Sequence, residues 1–426
     1  MKIKVKEKSY REVCELSSGI RIRPKKPGLF FRTLVRIVSS PELRKVGFTC
    51  QRRGMEKLGK NQPCLILMNH SSFIDLKIAS ALLYPRPFNI VCTYDGFVGK
   101  SWLMSNLGCI PTNKFITDLR LVRDLKYTVQ ELKSSVLMYP EASYSFDGTA
   151  TPLPEGLGKL VKMLAIPVVV ITTKGAFAHD PLYNGLQQRD VRVSAEMEYL
   201  FSPEDTKELS AERINTVLAE KFSFDNFRRQ QLENIRVSEP FRADGLHRVL
   251  YKCPHCLAEG KTEGKGYTLV CHNCGKEYAL DEFGYMKALT GETEFEHIPD
   301  WYAWERKCVR DEIISGKYLL NTDVEIYMLV NTDCVYHVGQ GSLEHTEKGF
   351  TLTGCNGELN YFHPASASYS LYADYFWYEL GDVISIGTDK VSYYCIPISK
   401  DVSVAKARLA AEEIYKLDRE KKKLRV

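Results

Sequence analysis

Between residues 63 and 200, short unbroken apolar runs alternate with segments whose apolar residues recur every three or four positions. Solid runs bounded by turn residues read as buried strands, and the longer period reads as helices covering them. Strands are expected at 64–68, 89–93, 135–139, 166–172 and 191–199. The periodic segments predict helices at 73–83, 100–107, 118–133 and 155–164, with a helical tail over 203–233. Strand–helix alternation of this kind is the pattern of an α/β unit. Upstream, 29–38 reads as an amphipathic helix, with Arg32, Arg36 and Ser39 or Ser40 on one face and Leu, Phe, Val and Ile over the rest. Residues 1–27 interleave Lys and Arg with apolar residues and end in Pro24-Lys25-Lys26-Pro27, a basic arm with little to bury. Downstream, 285–318 reads as a helical linker anchored by Trp301, Tyr302 and Trp304. From about 319 the period drops to two, giving strands at 323–330, 334–338, 350–354, 359–363, 368–378, 382–387 and 391–397, then a helix at 402–422.

Charge changes the picture at one end only. The formal net charge of the 426 residues is +5, yet residues 1–60 hold 17 Lys or Arg against 5 Glu, so the rest is mildly acidic. A basic arm on an acidic body points to an anionic membrane surface. Nucleic acid is not expected, because no interleaved aromatic and basic residues surround the cysteine pairs. The 13 Cys are odd in number and mostly scattered among apolar residues, the usage of a reducing compartment. The first residues lack the apolar core of a signal peptide. No apolar run approaches the roughly 20 residues that span a bilayer. The expected location is cytoplasmic, peripherally bound to the cytoplasmic face of a membrane.

Candidate chemistry concentrates after the first strand, at Asn69-His70-Ser71-Ser72-Phe73-Ile74-Asp75. Ser71 or Ser72 can cap the following helix, and Asp75 falls in its first turn. A strand–helix turn lets the Asp75 carboxylate fold back on the His70 imidazole, holding one tautomer and raising the basicity of the other nitrogen, as a general base for a hydroxyl requires. The alternative is a capping Asp beside a surface His. Two rival motifs fail: Gly99-Lys100-Ser101 lacks the first glycine of a phosphate loop, since Tyr94 stands there, and no G-x-S-x-G occurs. Further on, Cys253-Pro254-His255-Cys256 and Cys271-His272-Asn273-Cys274 form two C-x2-C knuckles fourteen residues apart. This is a zinc-ribbon signature, with Cys253, Cys256, Cys271 and Cys274 as ligands of one structural Zn(2+), and His255 and His272 as bystanders.

Three more stretches complete a set: Gly108-Cys109-Ile110-Pro111-Thr112-Asn113-Lys114, Tyr139-Pro140-Glu141-Ala142-Ser143-Tyr144-Ser145, and Ile166-Pro167-Val168-Val169. With His70 and Asp75, their order and spacing resemble the four blocks of the glycerolipid acyltransferases, typified by 1-acyl-glycerol-3-phosphate acyltransferase. The resemblance covers roughly 28–235. It implies direct acyl transfer from an acyl-CoA or acyl carrier protein thioester to a hydroxyl of a lysophospholipid acceptor. His70 would be the general base, Asp75 its orienter, and Glu141 would position acceptor hydroxyls or a nearby loop. Asn69, Ser71, Lys114, Pro140, Ser143 and Tyr144 are the substrate-binding residues it implies. The chain departs from the family where Ala142 and Tyr144 replace Gly and Arg, where Lys114 ends the second block in place of Arg, and where Val170 replaces the second proline of the fourth. Arg grips phosphate bidentately and Lys does not. A phosphate headgroup is therefore in question, although Lys114, Arg120 and Arg123 offer charge.

The expected architecture is an α/β acyltransferase domain, a mixed sheet flanked by helices, at 28–236. A zinc ribbon at 247–284 follows, then the linker at 285–318. An all-β barrel or sandwich at 319–426, closed by a C-terminal helix, resembles a pleckstrin-homology-like fold in pattern alone. The alternative function is a non-catalytic lipid-binding or scaffold protein built on the acyltransferase fold.

Overall fold

The computed structural model describes residues 2–16, 22–116 and 118–423. Part of the expected arm, Met1 and residues 17–21, lies outside the described residues. The α/β unit is a seven-stranded sheet in the order Thr49–Arg53, Ser194–Phe201, Val168–Lys174, Leu65–Met68, Ser135–Met138, Phe88–Thr93, Cys109–Thr112. All neighbours run parallel except Val168–Lys174 against Ser194–Phe201. The sheet is thus mixed, as expected. Its two outer parallel strands, Thr49–Arg53 and Cys109–Thr112, escape the sequence pattern. The first is exposed and charged, and the second carries a proline.

The central strand Leu65–Met68 is wholly buried. Its side chains alternate between two cores. Ile66 and Met68 pack with Leu43, Ile74, Ile78 and Leu82 from helices Leu29–Lys45 and Ile74–Leu83. Leu65 and Leu67 pack with Leu125, Val161 and Ile214 from helices Leu119–Gln130, Leu157–Leu164 and Ala211–Lys221. Burial on both faces explains why the strand reads as a solid run.

Helix Leu29–Lys45 continues seven residues past the expected end. Arg32 donates to the Pro85 carbonyl, Arg36 donates to Ser40 Oγ at 3.1 Å, and Glu42 pairs with Lys77. Its polar face is therefore inward, satisfying groups around the end of helix Ile74–Leu83. Leu29, Phe30, Leu34, Ile37 and Val38 point to solvent, Phe30 at 71% exposure.

The arm is less free than its charge suggests. Val5–Glu7 pairs in parallel with Val335–His337. Partner strand Val335–Thr346 is covered by Gly349–Gly354 only over residues 341–346, so its first half offers an open edge. Val13, in helix Tyr10–Cys14, is fully buried.

The C-terminal region forms one sheet ordered Leu359–Pro364, Gly349–Gly354, Val335–Thr346, Leu320–Leu329, Ser392–Pro397, Gly381–Gly387, Tyr372–Trp377, followed by helix Val404–Lys423. All seven expected strands and the closing helix are present. Between the two large units sits a four-stranded antiparallel sheet, Met286–Ala288, Glu277–Leu280, Thr268–Cys271, Thr262–Lys265. The linker helix is shorter than expected, Ile298–Ile314, because Met286–Ala288 joins this small sheet. Small sheet, linker helix and β region share one core, running from Leu250, Leu269 and Tyr278 through Trp301 to Ile326 and Leu352.

Candidate active site

His70 lies just past the carboxyl end of Leu65–Met68, in the crevice where α/β sheets bind ligands. The parallel register sets Leu67 beside Met138. Three residues on in each strand, His70 and Glu141 come side by side, and the His70 amide donates to Glu141 Oε2 at 2.9 Å. Glu141 Oε1 accepts from the Thr151 amide at 3.0 Å and the Thr151 hydroxyl at 3.2 Å. Both oxygens of Glu141 hold backbone loops, so it is a positioning residue. It is buried and does not line the cavity into which His70 opens.

His70 Nδ1 stands 3.1 Å from Asp75 Oδ2, which also accepts the Ser71 and Ser72 amides at 2.7 and 3.0 Å. The carboxylate folds back across the turn as the spacing suggests. The expected Ser cap does not form. Phe73 is the N-cap and makes no side-chain cap bond, because Asp75 itself takes the Ser71 and Ser72 amides. With Nδ1–H donated to the carboxylate, Nε2 is left as the free base. Tyr139 stacks on the imidazole at 3.9 Å and Tyr144 lies across it at 4.0 Å. Burial, then the Lys114 ammonium, pushes the His70 pKa well below its usual value, favouring the neutral ring. Burial pushes the Asp75 carboxyl up to about 7 against the opposing Ser72 and Ser71 amides, and Glu141 likewise to about 7 against its amide donors. Ala142, at the family's glycine position, sits at φ +57°, a conformation glycine adopts without strain.

His70 opens into a cavity of about 1280 Å³ between the α/β unit and the C-terminal region. Of the expected substrate-binding residues, Lys114, Pro140 and Tyr144 line it. Asn69, Ser71 and Ser143 do not: all three are buried behind the turn. Asn69 is consumed by Thr173 and Ser71, at 2.7 Å from the Thr173 amide and 3.0 Å to each hydroxyl oxygen, tying two strands together. Arg120 pairs with Asp389 at 2.9 Å and lines a separate, smaller pocket with Arg123. Lys114 does point into the main cavity, its Nζ 4.2 Å from the Tyr372 ring centroid. Burial lowers its pKa, with Asp374 and Asp95 opposing.

The opposite wall was invisible to motif reasoning. Tyr369, Tyr372, Asp374 and Trp377 face His70's cavity from some 300 residues away in sequence. Asp95 clamps the two walls, accepting from Tyr372 Oη at 3.3 Å and Trp377 Nε1 at 3.1 Å. Only the dense aromatic run at 369–378 marks this wall in the sequence, and such runs usually signify packing.

The Cys253, Cys256, Cys271 and Cys274 sulfurs all lie within 4.8 Å of one another. Two of the pairs stand at 3.9 and 3.7 Å. A tetrahedral zinc with bonds near 2.3 Å sets its sulfurs about 3.8 Å apart, so the donor set fits that ion. His255 turns to Glu294 at 3.4 Å and His272 to Glu263 at 2.8 Å, away from the thiols.

The profile of the family described as Acyltransferase matches residues 50–174, which hold His70, Asp75, Lys114 and Glu141. The resemblance to glycerolipid acyltransferases read from the motifs is thus matched, over this segment, by similarity to the Acyltransferase family. Among curated proteins, the chloroplastic 1-acyl-sn-glycerol-3-phosphate acyltransferase BAT2 of Brassica napus is 31% identical over 149 residues. That alignment covers 33% of this chain and 42% of the relative, so the chain spans less than half the length of the protein it matches. Among solved structures, the 1-acyl-sn-glycerophosphate acyltransferase PlsC of Thermotoga maritima aligns over 45% of this chain and 76% of its own at 17% identity. Its TM-score is 0.34, a likeness too loose to carry an argument.

Proposed function

We propose that this protein transfers a fatty acyl group from an acyl thioester, carried by coenzyme A or acyl carrier protein, to a hydroxyl of a lysophospholipid-type acceptor. The carrying observation is the His70–Asp75 pair, oriented on one nitrogen and open to a large cavity on the other side. His70 Nε2 takes the acceptor hydroxyl proton as the oxygen attacks the thioester carbonyl. The tetrahedral intermediate collapses with loss of thiolate, which regains a proton from the His70 imidazolium. Asp75 stabilises that cation and fixes the tautomer. No acyl-enzyme is needed, because the thiolate is already a good leaving group. The oriented base favours this reading over a purely lipid-binding module. Comparing the lipid profiles of cells expressing wild-type protein or His70→Ala tests it: a lipid class should gain acyl chains in the first and not in the second. Indistinguishable profiles would reject it.

The acceptor is reached from a membrane surface. Among the described residues no helix is long and apolar enough to cross a bilayer. The outward face of helix Leu29–Lys45, joined by exposed Trp102 against Phe31 at 6.0 Å, supplies an apolar patch for the acyl boundary. The Lys-rich arm supplies attraction to anionic lipid on the cytoplasmic leaflet. The four-cysteine site holds a structural Zn(2+), since four thiolates leave no open position for chemistry.

A further inference from the structure

The strand bearing Asp374 does not obey strand alternation. Successive residues of a regular strand point to opposite faces, yet Asp374, Tyr375, Phe376, Trp377 and Tyr378 all line the one cavity. The register with Gly381–Gly387 breaks between Asp374 and Trp377, and Phe376 and Tyr378 stand at φ +53° and +47°. A bulge of this kind re-aims side chains, and left-handed backbone at bulky residues is held only where surroundings enforce it. What it aims is one carboxylate among aromatic rings. Asp374 Oδ1 accepts the Tyr375 amide at 2.8 Å, while its Oδ2 has no partner among the described residues. Asp95, the other acid on this stretch of wall, is already bonded to Tyr372, Trp377 and the Gly96 amide. Lys114 makes no ion pair among the described residues and rests on the Tyr372 ring.

Beside Asp374 a headgroup meets the Lys114 ammonium and one carboxylate oxygen; the other cations lining the cavity are Lys159, Lys416, which pairs with Glu413, and Arg419, which pairs with Glu155. A phosphate monoester brings close to two negative charges at neutral pH. Lys114 can answer one of them, and Asp374 repels the other. A phosphodiester brings a single charge for Lys114. If its far end carries hydroxyl or ammonium hydrogens, they suit Asp374 Oδ2, and the surrounding ring faces attract an ammonium further. We infer that the C-terminal β region reads the acceptor headgroup, with Asp374 the specificity-determining residue, and that it selects a phosphodiester lysolipid with a hydrogen-donating end over a phosphate monoester. This rests on the acceptor being a lysophospholipid, as proposed above.

The test uses the full-length protein and three lysolipids of one acyl length, bearing phosphate, phosphoglycerol or phosphoethanolamine. Binding is measured by equilibrium dialysis and transfer is measured in parallel. Wild type should bind at least one diester about tenfold more tightly than the monoester, the scale of one charge-assisted hydrogen bond. Which diester binds better distinguishes hydroxyl from ammonium recognition. Asp374→Asn, which can still accept the Tyr375 amide, should erase the preference by gaining monoester and losing diester. Equal or tighter monoester binding by wild type, an unchanged ratio in Asp374→Asn, or no lysolipid binding at all would overturn the inference. Transfer to all three without preference would overturn it while leaving the acyltransferase reading intact. Selective binding without transfer would do the reverse.

Discussion

The two walls of the cavity are built on opposite principles. The His70 wall is the edge of a parallel sheet, where Asn69, Glu141 and one carboxylate oxygen of Asp75 fix the turn. The facing wall, around 369–378, is a bulged and aromatic strand with an underused carboxylate. One wall is arranged to hold a single base in a single tautomer. The other has the shape and polarity of a surface that discriminates. On the reading proposed above, reaction and selection reside in different parts of the chain, joined at Asp95.

Breaking the second wall should have the largest effect. Its core is continuous with the cysteine site, so metal removal should not stay local. Structural zinc contributes on the order of 10 kcal/mol to folding in small sites. Cys253→Ser with Cys256→Ser, or strong chelation, should abolish cooperative melting of the C-terminal half and with it transfer. Elemental analysis of the intact protein should give one zinc per chain; no metal in reduced, folded protein would remove this claim. Breaking the first wall is more surgical. Asp75→Asn should leave a folded protein with kcat/KM down by roughly two to four decades, and a loss under fivefold would demote the pair.

The outward helix separates access from both walls. Phe30 and Ile37 are exposed, so Phe30→Ser with Ile37→Ser should melt like wild type. The double variant should lose salt-resistant binding to anionic vesicles by about tenfold or more. Arg32→Glu, by contrast, should lower the melting temperature, because Arg32 satisfies the Pro85 carbonyl. Vesicle sedimentation beside a melting curve checks both.

The remaining effect, graded rather than all-or-none, is on pH. Burial raises the Asp75 carboxyl to about 7, so it gains a proton as pH falls through that value and ceases to orient His70. The kcat/KM profile should fall about tenfold per unit below roughly pH 7, and Asp75→Asn should flatten it. Stability runs the other way. A carboxyl whose pKa is raised by folding contributes stability below its unfolded value, near 4, and that contribution is lost as pH rises through about 7.

What the sequence made legible was local. His70 and Asp75 are five residues apart on one turn, and the four cysteines sit on two knuckles, so spacing alone places them. All five expected α/β strands are present, and the solid apolar reading of Leu65–Met68 follows from its burial on both faces. Three limits have physical causes. Asn69, Ser71 and Ser143 share the motif blocks but spend their side chains behind the turn, which a motif cannot distinguish from facing a ligand. Helix Leu29–Lys45 showed its two faces in the sequence but not its orientation, since an amphipathic pattern does not say which face meets the protein. Asp374 was missed because the bulge that aims it depends on contacts with Asp95 and on strand Gly381–Gly387.

The most direct test of the central claim is acceptor-dependent thiol release by purified protein given an acyl thioester and a lysophospholipid, with wild type and His70→Ala side by side. The account predicts stoichiometric thiol and acylated lipid from wild type, no release without acceptor, and a loss of roughly three decades or more in His70→Ala. Release by His70→Ala within a few-fold of wild type would contradict it.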